Sequence, residues 1–173
     1  MSLDFLKALY VRELNDLHDA ESQLVQALPT MVKTASSEDL RLALERHWKQ
    51  TKRHLQRLER AFSLLKEKPK QAVCKAEKGI FEEADEMIRA DDDSATKDMA
   101  FIWAVQRSAR REMAKHGCAR TYAESLGEAD VAEMHQKTLD EECSMDDSLA
   151  ELSKRLVRAK PVLYDGLDLV GFF

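Results

Sequence analysis

Acidic and imidazole side chains stand at the middle of stretches whose apolar spacing is that of buried helices. In the first stretch, apolar residues recur at alternating steps of four and three, and Glu21 lies at the centre of that stripe. An ionised carboxylate in an apolar core costs several kcal/mol, so Glu21 requires a partner. Later stretches carry His54, Glu112 and Glu142 at the corresponding positions.

In a bundle of helices of similar length, residues at mid-length share one level whichever way each helix points. We therefore expect Glu21 and its three counterparts to form one layer, which needs a cation or shared protons. Further candidates on the same faces are His47, Glu83, His116 and Asp146. Beside Glu142, the acids Asp140, Glu141 and Asp147 are interpreted as solvated charge.

Carboxylates with a few imidazoles on the inward faces of four helices are the ligand set for iron or manganese. Such centres activate dioxygen or peroxide, or oxidise ferrous iron for storage. The alternative is a polar layer that water and shared protons satisfy. In that case His47 and His54 are core histidines with local hydrogen bonds, and Glu112 bonds His116 one turn away.

The elements that must position these residues are predicted from composition and periodicity. The chain has 173 residues, 5 Gly and 3 Pro, which favours a single all-helical domain. Pro29 predicts a kink or fraying near the end of the first helix. The helices are expected over about residues 3–33, 36–68, 75–90, 95–125 and 129–159. Residues 1–160 then form the bundle, and the apolar segment 161–173 packs on the bundle or on a second subunit.

Charge and cysteine content exclude several classes of partner. The net charge is −5 and the 27 basic residues are dispersed, which disfavours nucleic-acid binding. No apolar run approaches the roughly 18 residues of a membrane span, and no signal-peptide pattern is present. Cys74, Cys118 and Cys143 have no CxxC spacing and indicate reduced thiols. We expect a cytoplasmic protein that binds neither nucleic acid nor membrane.

The chain also resembles a known family, the YciE/YciF-like bacterial stress proteins, which are ferritin-like. The similarity runs from about residue 3 to residue 158, in order and spacing. It is carried by the segments ELNDLHDAESQL, HWKQTKRHLQRLERAF, CKAEKGIFEEADEMI and TLDEECSMDDSLAEL. The resemblance implies a ferritin-like antiparallel four-helix bundle with a short helix between its two hairpins. It also implies a homodimer and a role in the stress response.

The wider ferritin-like pattern has one Glu on the first helix of each hairpin and Glu-x-x-His on the second. Glu21 and Glu112 match the single acids, and Glu142 matches the acid of the last motif. The chain departs from the pattern on three helices. Gln50 and Ala109 stand where Glu is expected, and Met145 replaces the last His.

These observations predict a buried site for one or two divalent ions, with iron expected and manganese as the alternative. The expected metal ligands are Glu21, His54, Glu83, Glu112, His116, Glu142 and Asp146. A single ion, or an asymmetric pair that uses Glu83, His116 or Asp146, replaces a complete di-iron site. The alternative function is a structural or interaction bundle that has lost a complete di-metal site. Catalytic activity stays open.

Overall fold

The computed structural model describes residues 2–90 and 93–159, which form five α-helices and no strand. They are α1 (Leu3–Thr34), α2 (Glu38–Leu64), α3 (Lys75–Ala90), α4 (Ser94–Ser125) and α5 (Ala129–Ala159). The predicted all-helical class is confirmed. The predicted apolar tail, residues 161–173, lies outside the described residues.

Polar residues begin the helices, and backbone conformation ends them. Ser37 caps α2 by accepting a hydrogen bond from the backbone of Leu40, and Asp93 caps α4 in the same way. The α2 helix ends before the predicted limit at residue 68, because Lys66 adopts a positive φ of 57°. Gly127, at φ 78°, follows α4 and permits the short turn into α5.

The predicted fraying at Pro29 does not occur. The α1 helix continues through Pro29 to Thr34, and the following backbone N–H of Ala35 donates to Met31 at 2.8 Å. Proline removes one backbone donor, but the helix around it is packed against the core through Leu28 and Met31. Packing therefore maintains the last turn of α1.

The four long helices form an antiparallel bundle. The hairpin of α1 and α2 packs against the hairpin of α4 and α5, with α1 beside α4 and α2 beside α5. The direction of α2 against α5 is opposite, since Asp39 pairs with Arg155 and His54 with Glu141. The α3 helix lies outside the four, mainly against α4 and with a smaller contact to α1. This confirms the predicted bundle with a short helix between its hairpins.

Two apolar clusters fill the bundle, one on each side of a polar layer at mid-length. One cluster includes Tyr10, Leu14, Leu17, Leu58 and Phe62. The other includes Leu24, Leu28, Leu44, Ile102 and Leu149. Each fully buried Leu contributes about 1.5–3 kcal/mol, so the clusters offset the cost of burying polar groups between them. None of the five described helices has the length and apolar character needed to cross a membrane.

Candidate metal centre

Each long helix contributes one fully or almost fully buried polar side chain to the centre of the layer. These are Glu21 of α1, His54 of α2, Glu112 of α4 and Glu142 of α5. One ligand atom from each of Glu21, His54 and Glu112 lies within 4.8 Å of the others. Glu142 Oε1 lies 3.2 Å from His54 Nδ1, and Glu21 Oε1 lies at the same distance from that nitrogen. The structure thus brings together the four side chains that the mid-length argument placed in one layer.

The carboxylates of this layer lack hydrogen-bond partners. Both oxygens of Glu21, Glu112 and Glu142 are buried and accept no hydrogen bond from the described residues, and His54 Nδ1 is also without one. Buried polar atoms are almost always satisfied in folded proteins, so these atoms require a cation or protons. Several carboxylate oxygens and one imidazole nitrogen suit a hard divalent ion such as iron or manganese.

Glu141 contacts the Nε2 atom of His54, and Arg57 in turn contacts Glu141. His54 Nε2 lies 2.7 Å from Glu141 Oε2, and Arg57 donates two hydrogen bonds to the same carboxylate. Glu141, expected to be solvated, is therefore a half-buried partner of the layer. A carboxylate behind one imidazole nitrogen is the arrangement that orients the other nitrogen toward a metal ion.

Protons satisfy part of this layer when no cation is bound. Burial would lower the pKa of His54, but the carboxylates of Glu21, Glu141 and Glu142 raise it to about 12. Burial raises the pKa of Glu21 and, helped by the neighbouring acids, raises that of Glu112 well above its ordinary value. Burial would also raise the pKa of Glu142, but His47 and His54 lower it. These shifts favour the imidazolium form of His54, the ionised form of Glu142 and the neutral form of Glu112 in the metal-free layer.

Glu83 does not belong to the layer in which it was predicted to be a ligand. Its side chain is 54% exposed and forms an ion pair with Arg107. The residues of α3 that are buried are Glu77, Ile80 and Ala84. Glu83 lies on a neighbouring line of the helix. The α3 helix packs on α4 through the line of the three buried residues.

Glu77 is the buried carboxylate of α3 and was not among the predicted residues. Ser108 donates a hydrogen bond of 2.6 Å to Oε1, and Arg111 lies 3.7 Å from Oε2. Burial raises the pKa of Glu77 to about 7, although Ser108 and Arg111 lower it in part. The spacing of Glu77 from the apolar Ile80 and Ala84 was the available signal, since steps of three and four define a helix face.

Asp146 also lies outside the layer, contrary to the prediction. Its carboxylate accepts a hydrogen bond of 2.9 Å from Gln106 and two from Arg110. Four residues advance a helix by a little more than one turn, so Asp146 is rotated away from Glu142 toward the surface of α4. The buried neighbour at this level is Met145.

His116 lies at the edge of the layer and belongs to a chain of buried rings. Its Nε2 is 4.0 Å from Glu21 Oε1, and its Nδ1 is 2.9 Å from His135 Nδ1. The other nitrogen of His135 is 2.7 Å from the hydroxyl of Tyr10. Tyr10 and His135 are both buried, but no local sequence pattern connects them to His116.

Three further described positions near the layer, His47, Gln50 and Ala109, supply no carboxylate. His47 is buried with neither ring nitrogen hydrogen-bonded to a described residue, and burial lowers its pKa. Gln50 is half-buried with its amide oxygen unpartnered, and Ala109 is fully packed. The side chains near Glu112 therefore fit one ion better than a complete pair.

Comparison with known proteins places this geometry in a family. Residues 6–161 match the family described as a domain of unknown function, DUF892. The chain belongs to this family. The DUF892 chain is 31% identical over 161 residues to Protein YciF of Escherichia coli strain K12, covering 92% of this chain and 97% of that protein. The resemblance to YciF-like proteins is thereby confirmed.

Solved structures agree with this assignment. The crystal structure of the E. coli stress protein YciF matches with a TM-score of 0.84 and 31% identity, covering 90% of this chain and 98% of that one. YcfI from Rhodopseudomonas palustris, whose description proposes a structural role, matches with a TM-score of 0.80 and 31% identity over 84% and 92% of the two chains. A Xanthomonas campestris protein, 19% identical with a TM-score of 0.66 over 89% and 94%, supports the fold alone.

Proposed function

We propose that this DUF892 protein acts in a bacterial stress response and binds one divalent metal ion in its buried layer. Iron is the expected metal, and manganese is the alternative. The observation that carries the metal proposal is the set of buried, unpartnered carboxylate oxygens on Glu21, Glu112 and Glu142 beside His54 Nδ1. The stress role rests on the similarity to the E. coli stress protein YciF over nearly the whole chain.

Glu21 and Glu112 would hold the ion through carboxylate oxygens, and His54 would bind it through Nδ1. Glu142, 3.2 Å from that nitrogen, is the fourth candidate ligand. A bound iron ion supplies one-electron chemistry with dioxygen or peroxide. The apolar clusters on either side exclude bulk water from the layer, which strengthens each interaction between charges inside it.

Metal binding must displace the protons that the metal-free layer holds. His54 has to release a proton from Nδ1, while Glu141 keeps its hydrogen bond to Nε2. Glu112 has to ionise against a pKa that burial and neighbouring acids raise. We therefore expect proton release on metal binding and weaker binding at lower pH.

Metal content of protein purified from iron-supplied cells tests the proposal. We expect about one ion per chain in the wild type, and a loss of most of it in Glu21→Gln and Glu112→Gln. Glu83→Gln, which removes an exposed acid on α3, is the matched control and should retain the wild-type content. A wild-type content below about a tenth of an ion per chain would overturn the metal proposal.

A structural or interaction protein is the second candidate function. It is favoured by Gln50 and Ala109, which stand where acids were expected, and by the structural role proposed for the R. palustris relative. In that case protons alone satisfy the layer, and iron or manganese should leave the midpoint of thermal unfolding unchanged. A rise of that midpoint with metal concentration would instead support the metal site.

A further inference from the structure

Three buried side chains from three helices form a chain that leads to Glu21. Tyr10 of α1 lies 2.7 Å from His135 Nε2, and His135 Nδ1 of α5 lies 2.9 Å from His116 Nδ1 of α4. Tyr10 is completely buried, and each ring is 1–2% exposed. The free end of the chain is His116 Nε2, 4.0 Å from Glu21 Oε1.

The position of each proton on Tyr10, His135 and His116 follows from comparing the number of protons with the number of contacts between these groups. Tyr10, His116 and His135 are each exposed by 2% or less, and burial disfavours the charged form of a phenol or an imidazole. Each group is therefore neutral near pH 7 and carries one proton. Each of the two short contacts has room for a single hydrogen between its heavy atoms.

Only one arrangement directs the proton of each of the three groups toward an acceptor. If Tyr10 donates to His135 Nε2, the proton of His135 lies on Nδ1 and is donated to His116 Nδ1. The proton of His116 then lies on Nε2, on the side of Glu21. In the reverse arrangement, the Tyr10 hydroxyl hydrogen has no other acceptor among the described residues, and a bare lone pair of His116 faces the Glu21 carboxylate.

We propose that Tyr10 and His135 hold His116 in the tautomer protonated at Nε2, so that His116 donates toward Glu21 and is not a metal ligand. A metal ligand needs a free lone pair at the binding nitrogen, which this tautomer lacks. The distance of 4.0 Å between His116 Nε2 and Glu21 Oε1 is longer than a hydrogen bond. A shift of the Glu21 carboxylate oxygen by about 1 Å would bring the two atoms within hydrogen-bond distance. His116, His135 and Tyr10 are thus positioning residues.

The consequence for the metal rests on the proposed function, whereas the tautomer itself does not. With His116 excluded, His54 is the nitrogen ligand of the proposed site, and Glu21 is oriented from its other side by an N–H group. The expectation that His116 binds the ion is accordingly replaced by a role behind Glu21.

Nuclear magnetic resonance of the metal-free, ¹⁵N-labelled protein tests the tautomer directly. Long-range ¹H–¹⁵N correlation spectra distinguish the two neutral forms of each histidine, and His116→Gln identifies the signals of His116. We expect His116 to be protonated at Nε2 in the wild type and to shift toward a mixture of tautomers in Tyr10→Phe. Tyr122→Phe, whose ring packs against Tyr10, is the control and should keep the wild-type pattern.

A wild-type His116 protonated at Nδ1 would overturn the proposal, whatever the protein does with metals. This readout does not depend on metal content. A protein that binds no metal would disprove the proposed metal site, but the tautomer of His116 would still be decided by the spectrum. The decision uses the wild-type spectrum and the assignment from His116→Gln, so a misfolded Tyr10→Phe does not affect it.

Iron or cobalt binding to the full chain gives a second test. His116→Leu removes the donor and is expected to weaken binding about 10–100-fold, the range seen when a group behind a metal ligand is lost. His116→Gln restores an N–H donor near the position of Nε2 and should recover at least part of that loss. Equal loss in both variants would mean that the imidazole itself binds the ion, which contradicts the proposal.

Discussion

Arg57 binds both carboxylate oxygens of Glu141, with Nη1···Oε2 and Nη2···Oε1 distances of 2.8 and 3.0 Å. Glu141 Oε2 also lies 2.7 Å from His54 Nε2. The guanidinium therefore fixes the carboxylate, and the carboxylate fixes the ring. This leaves His54 Nδ1 between Glu21 and Glu142, which is the orientation that metal binding requires.

Replacing Glu141 by Gln should weaken metal binding without removing any proposed ligand. The neutral amide no longer stabilises the ring of His54 by charge, and we expect a loss of about 10–100-fold in affinity. Competition with a chelator of known affinity measures it. Asp140→Asn, an exposed acid beside Glu141, is the control. Equal affinities in the wild type and Glu141→Gln would show that the ring is oriented without this carboxylate.

His135 makes the metal-free protein sensitive to acid. Its pKa is about 4 in the folded state, below the ordinary 6.5, so its contribution to stability is present above pH 6.5 and is lost as the pH falls toward 4. Between pH 7 and pH 5 this loss amounts to about 2 kcal/mol. Urea unfolding at both pH values should show a larger loss in the wild type than in His135→Phe.

His18→Phe is the matched control for that experiment, since the ring of His18 packs edge-on against Phe62 outside the chain of buried rings. It should lose as much stability on acidification as the wild type. If His135→Phe behaves like His18→Phe, His135 does not remain neutral in the folded protein at pH 5.

Glu77 has the opposite effect on the pH dependence. Its pKa rises from 4.5 to about 7 on folding, so its contribution to stability is present below pH 4.5 and is lost as the pH rises through 7. Glu77→Gln removes this titration, and its unfolding free energy relative to the wild type should increase by about 2 kcal/mol between pH 5 and pH 8. Chemical denaturation at both pH values measures the change.

The exposed Glu83 on the same helix provides the comparison for Glu77. Glu83→Gln should differ from the wild type by less than about 0.5 kcal/mol at either pH. A Glu77→Gln variant that is destabilised to the same extent at pH 5 and pH 8 would argue against a raised pKa of Glu77.

Ala109 is the position at which an added acid should change the number of ions. It is buried on α4, one turn before Glu112. We expect Ala109→Glu to raise the metal content from about one to about two ions per chain, because paired ions in helical bundles require additional bridging carboxylates. The metal-free variant should lose several kcal/mol of stability, because an unpaired acid is buried.

Ala114→Glu adds the same charge at an exposed position of α4 and should leave metal content unchanged. Elemental analysis and thermal unfolding with and without iron measure both effects. A content of one ion in Ala109→Glu would show that the remaining ligands, Gln50 included, cannot complete a second site.

The sequence was sufficient for the long helices and for the centre of the layer. The stripe of each helix contains several buried residues on both sides of the acid or imidazole, so the face of Glu21, His54 or Glu112 is determined by many residues at once. In α3, two neighbouring lines are almost equally apolar, and packing against α4 selects the line of Glu77 over that of Glu83. The spacing of Glu77 from Ile80 and Ala84 makes its line a candidate, but the spacing within α3 does not exclude the line of Glu83.

Contacts between distant segments account for the other differences. Asp146 is turned outward because Gln106 and Arg110 of α4 bind it, and His116 is bonded to His135 only because two helices meet at that level. The contact between the Tyr10 hydroxyl and His135 Nε2 joins residues separated by 125 positions. Helical periodicity predicts the face of a residue but not its partner across the bundle.

The location of the polar layer between two apolar clusters has a mechanical consequence. An ion bound by Glu21, His54 and Glu112 would crosslink α1, α2 and α4 at mid-length, without any covalent bond. Opening of the Tyr10 end of the bundle would then stop at the crosslink and leave the Leu24 end closed. Metal supply would thereby determine whether the two ends of the bundle exchange their amide hydrogens together or separately.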